Sequence, residues 1–422
     1  MKILHTSDWH LGQTLYGKKR YDEFNAFLQW LAQTLKDELV DILIVSGDIF
    51  DGVLPPNQAQ TLYYDFLRTA SQGPCRHIII TAGNHDSSSF LDAPKALLRG
   101  MNVHVVGEAD ESISNEILLL RDADDRPEAV VCAVPFLRDS VLIKARPGDT
   151  VEEREQNLAR GMRNHYLRCA EEAEKLRASC ASAGASSIPI VAMGHLFAAG
   201  GTVREDDGVR DLRIGSLGQI DSSIFPETFD YVALGHLHIA QKVSGQDRIR
   251  YSGSPLPMGF GEAGQTKKVL LAEWQDGAFH QRDIAVPCFQ KLEKISGDLP
   301  AIEARFEELG RQGESVWLEI LYTGSTIAGD LSDRLNEKAP ACAEILRVRI
   351  QKGPEASLAD SCDTSFDLED MTLYDVFERR LDDAERINGL QADQREVLRL
   401  TYAEAVRGFY QQNGRGDAPC VS

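Results

Sequence analysis

The stretch IIITAGNHDSSSF, residues 78–90, decides the fold. Its three consecutive isoleucines and Thr81 are β-branched and read as a buried strand. Gly83 ends that strand. Asn84, His85 and Asp86 follow at once, and a serine run leads into an apolar helical pattern. A strand that finishes on an amide, an imidazole and a carboxylate places chemistry where open α/β sheets build their sites, beyond the carboxyl ends of their strands.

The same arrangement recurs along the chain. The strand at 2–8 delivers Asp8 and, just after it, His10. The strand at 41–48 ends on Asp48, the one at 187–195 on His195, and the one at 229–238 on His236 and His238. Helical apolar spacing at 21–37, 57–71 and 89–100 separates the first three strands. That βαβαβα order predicts a parallel sheet covered by helices. Further strands are expected near 115–120 and at 129–136, 187–195, 229–238, 248–255 and 267–274, interrupted by a long charged helix at about 151–180. Because few helices separate them, they predict a second, mostly antiparallel sheet. The expected fold is an α/β two-sheet sandwich flanked by helices over residues 1–287. After Pro287 a β-α-β-α-β pattern predicts a small separate α/β domain, 288–354. A polar, acidic linker (355–370) and amphipathic C-terminal helices (371–413) complete the chain.

Composition narrows the function classes. The net charge of −20 argues against a generic polyanion binder, although a bound metal pair can reverse the sign locally. No run of about 18 apolar residues predicts a transmembrane helix, and the strand-like MKILHTSD start does not read as a signal peptide. Eight scattered cysteines without a CxxC pair read as reduced thiols of a cytoplasmic protein. GQTLYGKK (12–19) nearly matches a nucleotide-binding loop, but Lys19 stands where the magnesium-binding hydroxyl is needed, so ATP binding is rejected.

Taken singly, each strand-end histidine is more often structural. Taken together, two Asp, four His and one Asn form a nitrogen and oxygen donor set without thiolate, suited to Mn, Fe or Zn. Seven donors exceed one transition ion and fit two that share a carboxylate. His5, within its strand, reads as structural; His77, His104, His165 and His280 belong to no cluster, and Trp9 reads as packing more readily than as a wall for substrate.

The series DWH…GD…GNHD…GH…GHLH resembles the calcineurin-like metallophosphoesterase pattern, with all five motifs in order. The opening MKILHTSDWHLGQTLYGKKR is similar, more specifically, to the double-strand-break repair nucleases of that superfamily. The resemblance extends over the small domain and, more loosely, the C-terminal helices. It implies one divalent ion on Asp8, His10, Asp48 and His238, and a second on Asp48, Asn84, His195 and His236, with Asp48 bridging. No ligand is missing. His85 is not a ligand in this scheme and stands ready to protonate the leaving oxygen. Asp51 is either the carboxylate that orients this histidine or a plain loop residue.

The resemblance further implies Mn2+ as the ion, 3′–5′ exonuclease action on duplex DNA, and endonuclease action on single strands and hairpins, in DNA repair, recombination and replication. It implies an SMC-type ATPase partner docked by the C-terminal helices, a small domain that caps DNA, and a homodimer. The dimer would form through helices carrying Leu62, Tyr63, Phe66, Leu67, Phe90, Leu91 and Leu97, most of which read equally as core. Lys18, Lys19 and Arg20 are either contacts to the DNA backbone or a solvated charge run, and Arg204, Arg210 and Arg213 are read the same way. Two rivals remain: a metallophosphatase acting on nucleotides or phosphoproteins, and a non-enzymatic adaptor, which should lack ligands. The long addition after residue 287 argues against the phosphatase.

Overall fold

The computed structural model describes residues 1–110, 112–142, 150–182, 187–198, 220–324 and 331–351. The expected linker, the C-terminal helices and Arg204, Arg210 and Arg213 lie outside the described residues. The chain begins with β1 (Lys2–Thr6), a hairpin of β2 (Thr14–Leu15) and β3 (Lys18–Lys19), α1 (Tyr21–Asp37), β4 (Ile42–Ser46), α2 (Asn57–Ala70) and β5 (His77–Thr81). Then come α3 (Ser88–Asp92), α4 (Lys95–Arg99), β6 (Val103–Val106), β7 (Ile117–Arg121), β8 (Pro127–Cys132), α5 (Asp139–Leu142), α6 (Val151–Ser182) and β9 (Ile190–His195). β10 (Tyr231–Gly235), β11 (Gln241–Val243), β12 (Gln246–Tyr251), β13 (Lys268–Gln275) and β14 (Ala278–Ala285) follow. The series ends with β15 (Lys291–Gly297), α7 (Leu299–Gln312), β16 (Val316–Tyr322), α8 (Leu331–Lys338) and β17 (Ala343–Ile350).

Two six-stranded sheets form, ordered β14-β13-β1-β4-β5-β6 and β11-β12-β10-β9-β8-β7. The period-two alternation of a strand explains how they stack. Ile42 and Ile44 join Ile3, Ile79, Val191, Met193 and Ala233 in a core between the sheets. Leu43 and Val45, on the other face of β4, pack against α1 and α2. Both faces of the strand are buried, which is why its sequence is apolar throughout. On α1, Phe24, Phe27, Leu28, Leu31 and Leu35 recur at helical spacing and are all buried. On the far side, α6 covers the second sheet with Leu158, Met162, Tyr166 and Ala173. Trp9 is packing, as expected: it stands edge-on to Phe27 and Phe66.

Three sequence expectations are corrected. The second sheet is not mostly antiparallel: β8, β9, β10 and β12 run parallel, and only the edge strands β7 and β11 oppose them. A parallel pair needs a long crossover, and α6 supplies one between β8 and β9. The strand at 267–274 leaves that sheet and pairs antiparallel with β1 in the first. The helix expected over 89–100 is two short ones, because Pro94 blocks a continuous turn.

The small sheet β15-β16-β17 is fully parallel, with α7 and α8 between its strands as the pattern predicted. It meets the hairpin β2–β3 in an apolar cluster of Leu15, Phe260, Leu292 and Trp317. Lys18 pairs with Glu344 at 2.7 Å, and Arg347 lies over the Tyr16 ring while bonding its hydroxyl at 2.8 Å. The exposed ion pair is worth about 0–1 kcal/mol, so the apolar contact carries most of this junction.

Asp86 closes the stretch that opened the sequence reading. It is buried, and its carboxylate accepts from the backbone N–H groups of Ile49 (3.0 Å), Phe50 (2.9 Å) and Gly83 (2.9 Å). One side chain therefore fastens the loop after β4 to the loop after β5. Asp86→Ala leaves three buried donors unpaired, at about 1 kcal/mol or more each, so urea unfolding should show a loss of about 3 kcal/mol or more. A change below about 1 kcal/mol would contradict this fastening role.

Candidate metal centre

The strands that end in donors belong to both sheets. β1, β4 and β5 lie in the first, and β9 and β10 in the second. Polar contacts tie the two sets of ends together. Ser46 Oγ donates to the Ala233 carbonyl at 3.1 Å, and His236 N–H donates to Asp8 Oδ1 at 2.8 Å. Four of the predicted ligands, Asp8, His10, Asp48 and His236, have positive φ, a region that non-glycine residues rarely adopt. Backbone strain gathered on these four residues is a mark of a functional site.

Two glycines of the motifs make this approach possible. A Cβ on Gly83 would overlap Asp48 Oδ1, and one on Gly47 would overlap the His195 ring. Only a residue without a side chain lets the strand ends come this close.

The seven expected ligands converge. Asp8, His10 and His238 bring ligand atoms within 4.8 Å of one another, as do Asp8, Asp48 and His195. Asp48 Oδ2 stands 3.6 Å from His10 Nε2 and 3.2 Å from His195 Nε2, between the two groups. Asn84 Oδ1 lies 2.9 Å from His195 Nε2 and 3.2 Å from His236 Nδ1. Among the described residues, the His10 and His236 Nε2 atoms are buried without a hydrogen-bond partner. Orphaned imidazole nitrogens beside buried carboxylates fit a divalent cation.

Outer contacts fix the rings. His195 Nδ1 donates to the Ser46 carbonyl at 3.0 Å, which leaves its Nε2 lone pair facing the site. The Asp51 carboxylate stands 3.4 Å from His10 Nδ1, while the Asp51 backbone carbonyl accepts from His85 Nδ1 at 3.2 Å. Asp51 thus touches His85 through its backbone and His10 through its side chain. His85 also donates its backbone N–H to Asp48 Oδ1 at 2.9 Å, and its half-buried ring stands edge-on to His10. Behind His238, the buried Glu262 carboxylate lies 3.9 Å from the ring and 2.7 Å from Lys267, whose ammonium also donates to the His238 carbonyl at 3.0 Å. Sequence reading missed Glu262, Lys267 and the role of Asp86. Only Asp86 carried a signal, since it sits inside the motif.

The electrostatics express one demand. Burial raises Asp8 to about 6 despite His195 and His10. Burial would also raise Asp48, but His195, His10 and His85 hold it well below the carboxylate range. In return, His10 and His195, which burial alone would lower, are pushed up to about 9 by the surrounding carboxylates. The pocket draws positive charge, and protons on these rings answer the same field as a metal cation would.

The basic trio is partly corrected. Arg20 is buried and holds Glu23 through two contacts of 2.8 and 2.9 Å, so it presents nothing to a phosphate. Lys18 is engaged by Glu344, and Lys19 is exposed.

The family model for the calcineurin-like phosphoesterases matches residues 1–240, and the model described as the type 5 capsule protein repressor C-terminal domain matches residues 288–385. The chain is 37% identical over 387 residues to the SbcD subunit of the nuclease SbcCD from Escherichia coli (strain K12), covering 90% of this chain and 92% of that protein. It is 39% identical over 318 residues to the SbcD protein of Rhodobacter capsulatus, covering 73% and 76% of the two chains. The Bacillus subtilis (strain 168) SbcD protein is 34% identical over 283 residues, covering 66% and 67%. With the phosphoesterase motifs, their convergence at the sheet ends and this extent of identity together, the chain belongs to the SbcD nuclease family, metal-dependent hydrolases built on the calcineurin-like phosphoesterase domain.

Proposed function

We propose that this nuclease cuts DNA phosphodiester bonds with two divalent ions, Mn2+ in the working enzyme. Asp8, His10, Asp48 and His238 would hold one ion; Asp48, Asn84, His195 and His236 would hold the other. The position of the Asp48 carboxylate between His10 and His195 carries this reading. When bound, such a pair supplies Lewis acidity and lowers the pKa of water toward neutrality. Only Asp8 and Asp48 in the ligand set are anionic, so the loaded site keeps a net positive charge and attracts a phosphodiester despite the acidic surface. His85, held by Asp51 and Asp48 through Nδ1 and its backbone N–H, turns Nε2 to the substrate and gives the leaving oxygen its proton.

The products follow the family: 3′–5′ exonuclease action on duplex ends and endonuclease action on single strands and hairpins. The name SbcCD supports an SbcC-type ATPase of the SMC class as partner. The C-terminal helices would dock it, and the small β15-β16-β17 sheet would position DNA. Leu97 (76% exposed) on α4 and Leu54 (88% exposed) before α2 suit a homodimer through this region. Tyr63, Phe66, Leu67 and Leu91 are core and drop out of that surface.

Asp48→Asn weakens the bridge to both ions at once. It should lose plasmid nicking in Mn2+ and lose bound Mn2+ by mass spectrometry. A fully metallated, fully active variant would sink the two-ion assignment. Measuring nicking of the wild type beside hydrolysis of nucleotides and p-nitrophenyl phosphate decides between nuclease, phosphatase and inert adaptor.

The neighbours Asn84 and His85 should separate. His85→Gln should keep its metal and its DNA binding while cutting about 10²–10⁴-fold more slowly, the contribution of a general acid. Asn84→Ala should come out metal-poor. Near-normal cutting by His85→Gln, or metal loss from it, would remove the general-acid role.

A further inference from the structure

We propose that Glu116, His165 and Cys169 form a second metal site, suited to zinc, beneath α6 and apart from the nuclease centre. Glu116 immediately precedes β7, and His165 and Cys169 sit one turn apart on α6, on the same face. Their ligand atoms all lie within 4.8 Å of one another. All three residues are buried. They interrupt an otherwise apolar cluster that includes Val130, Leu158, Met162, Tyr166 and Ile190.

A buried histidine–carboxylate pair does not account for the arrangement. His165 Nε2 stands 2.6 Å from Glu116 Oε2 and the Asp110 backbone N–H approaches the carboxyl, but Glu116 Oε1, in a residue with no exposed surface, makes no well-aligned hydrogen bond among the described residues. An ionised carboxylate has acceptor capacity for several bonds, and leaving one oxygen bare in an apolar core is costly. Charge arithmetic then favours zinc: one carboxylate, one thiolate and a neutral imidazole around a divalent ion sum to zero, the condition for burial in a dry core.

The required movement is small. Bonds of about 2.0–2.3 Å in tetrahedral geometry separate neighbouring ligand atoms by roughly 3.3–3.6 Å. The His165–Glu116 contact therefore opens by about 1 Å or less. Cys132 on β8 lies beside Cys169, its thiol donating to the Cys169 carbonyl at 3.7 Å. The consequence is mechanical: the 32-residue α6, rich in charge on its outer side, is pinned to the sheet by coordination as well as by packing.

Sulfur makes this site separable from the nuclease centre, whose ligand set has none. Full-length protein is stripped of metal and titrated with Co2+. The wild type should develop thiolate-to-cobalt charge-transfer absorption in the near ultraviolet. Asp48→Asn should retain it, and Cys169→Ser should lose it. His165→Gln, which keeps the thiol, should shift or weaken the band and guards against a folding failure in Cys169→Ser. As isolated, Asp48→Asn should still hold about one zinc per chain by mass spectrometry. No charge-transfer band in the wild type overturns the proposal, and so does a band unchanged in both Cys169→Ser and His165→Gln. Loss of the band in Asp48→Asn would also overturn it, because the absorption would then belong to the nuclease centre.

Discussion

A single buried carboxylate, that of Asp48, is the constraint on which the rest of the site depends. It stands between His10 and His195, whose strands belong to opposite sheets. To bring it there, β4 must end where the two sheets meet, and the Ser46 carbonyl must accept from His195 while the Ser46 hydroxyl reaches the Ala233 carbonyl. The backbone conformations this requires are unfavourable. Asp8, His10, Asp48 and His236 all lie at positive φ, at on the order of 1–3 kcal/mol each. Extensive burial between and outside the sheets offsets that strain, so a large four-layer frame supports a small reactive cluster.

Charge explains why the frame places anions and imidazoles so close. Asp51, Asp48 and Asp8 raise His10, and Asp48 and Asp8 raise His195, against the burial that would lower both. His236, flanked by those rings, is driven the other way by burial and by His195, down to about 3. Neighbouring histidines thus titrate apart because each faces a different balance of burial and charge. The buried pair Glu262–Lys267 behind His238 adds an orienting contact without adding net charge to the pocket.

The hairpin β2–β3 links catalytic loop to small domain. It begins four residues after His10 and is followed at once by Arg20, which is locked to Glu23 and Gln13. Its outer residues Tyr16 and Lys18 meet Arg347 and Glu344 of β17. Of the basic run beside the metal motif, Lys18 thus reaches the small domain and Arg20 holds Glu23 of α1, contacts the sequence alone offered no way to foresee.

The sequence by itself determined the elements and the donors. Apolar strands ending in Gly-Asp, Gly-Asn-His and Gly-His announced the site, because only a strand end presents consecutive polar side chains beyond a buried run. The helical faces of α1 and α2 and the β-α-β-α-β order of the small domain were equally legible, since periodicity is local. Tertiary structure decided what depends on partners far along the chain. The parallel direction of the second sheet, the migration of β13 to the first, and the strands β6, β11 and β14 follow from pairing, and the alternating polar residues of β14 make it a weak signal on its own. Burial decided that Arg20 is structural and that Asp86 holds two loops together. The meeting of Glu116 with His165 and Cys169 needed the same information: 49 positions separate Glu116 from His165, and α6 must lie on the sheet before they touch.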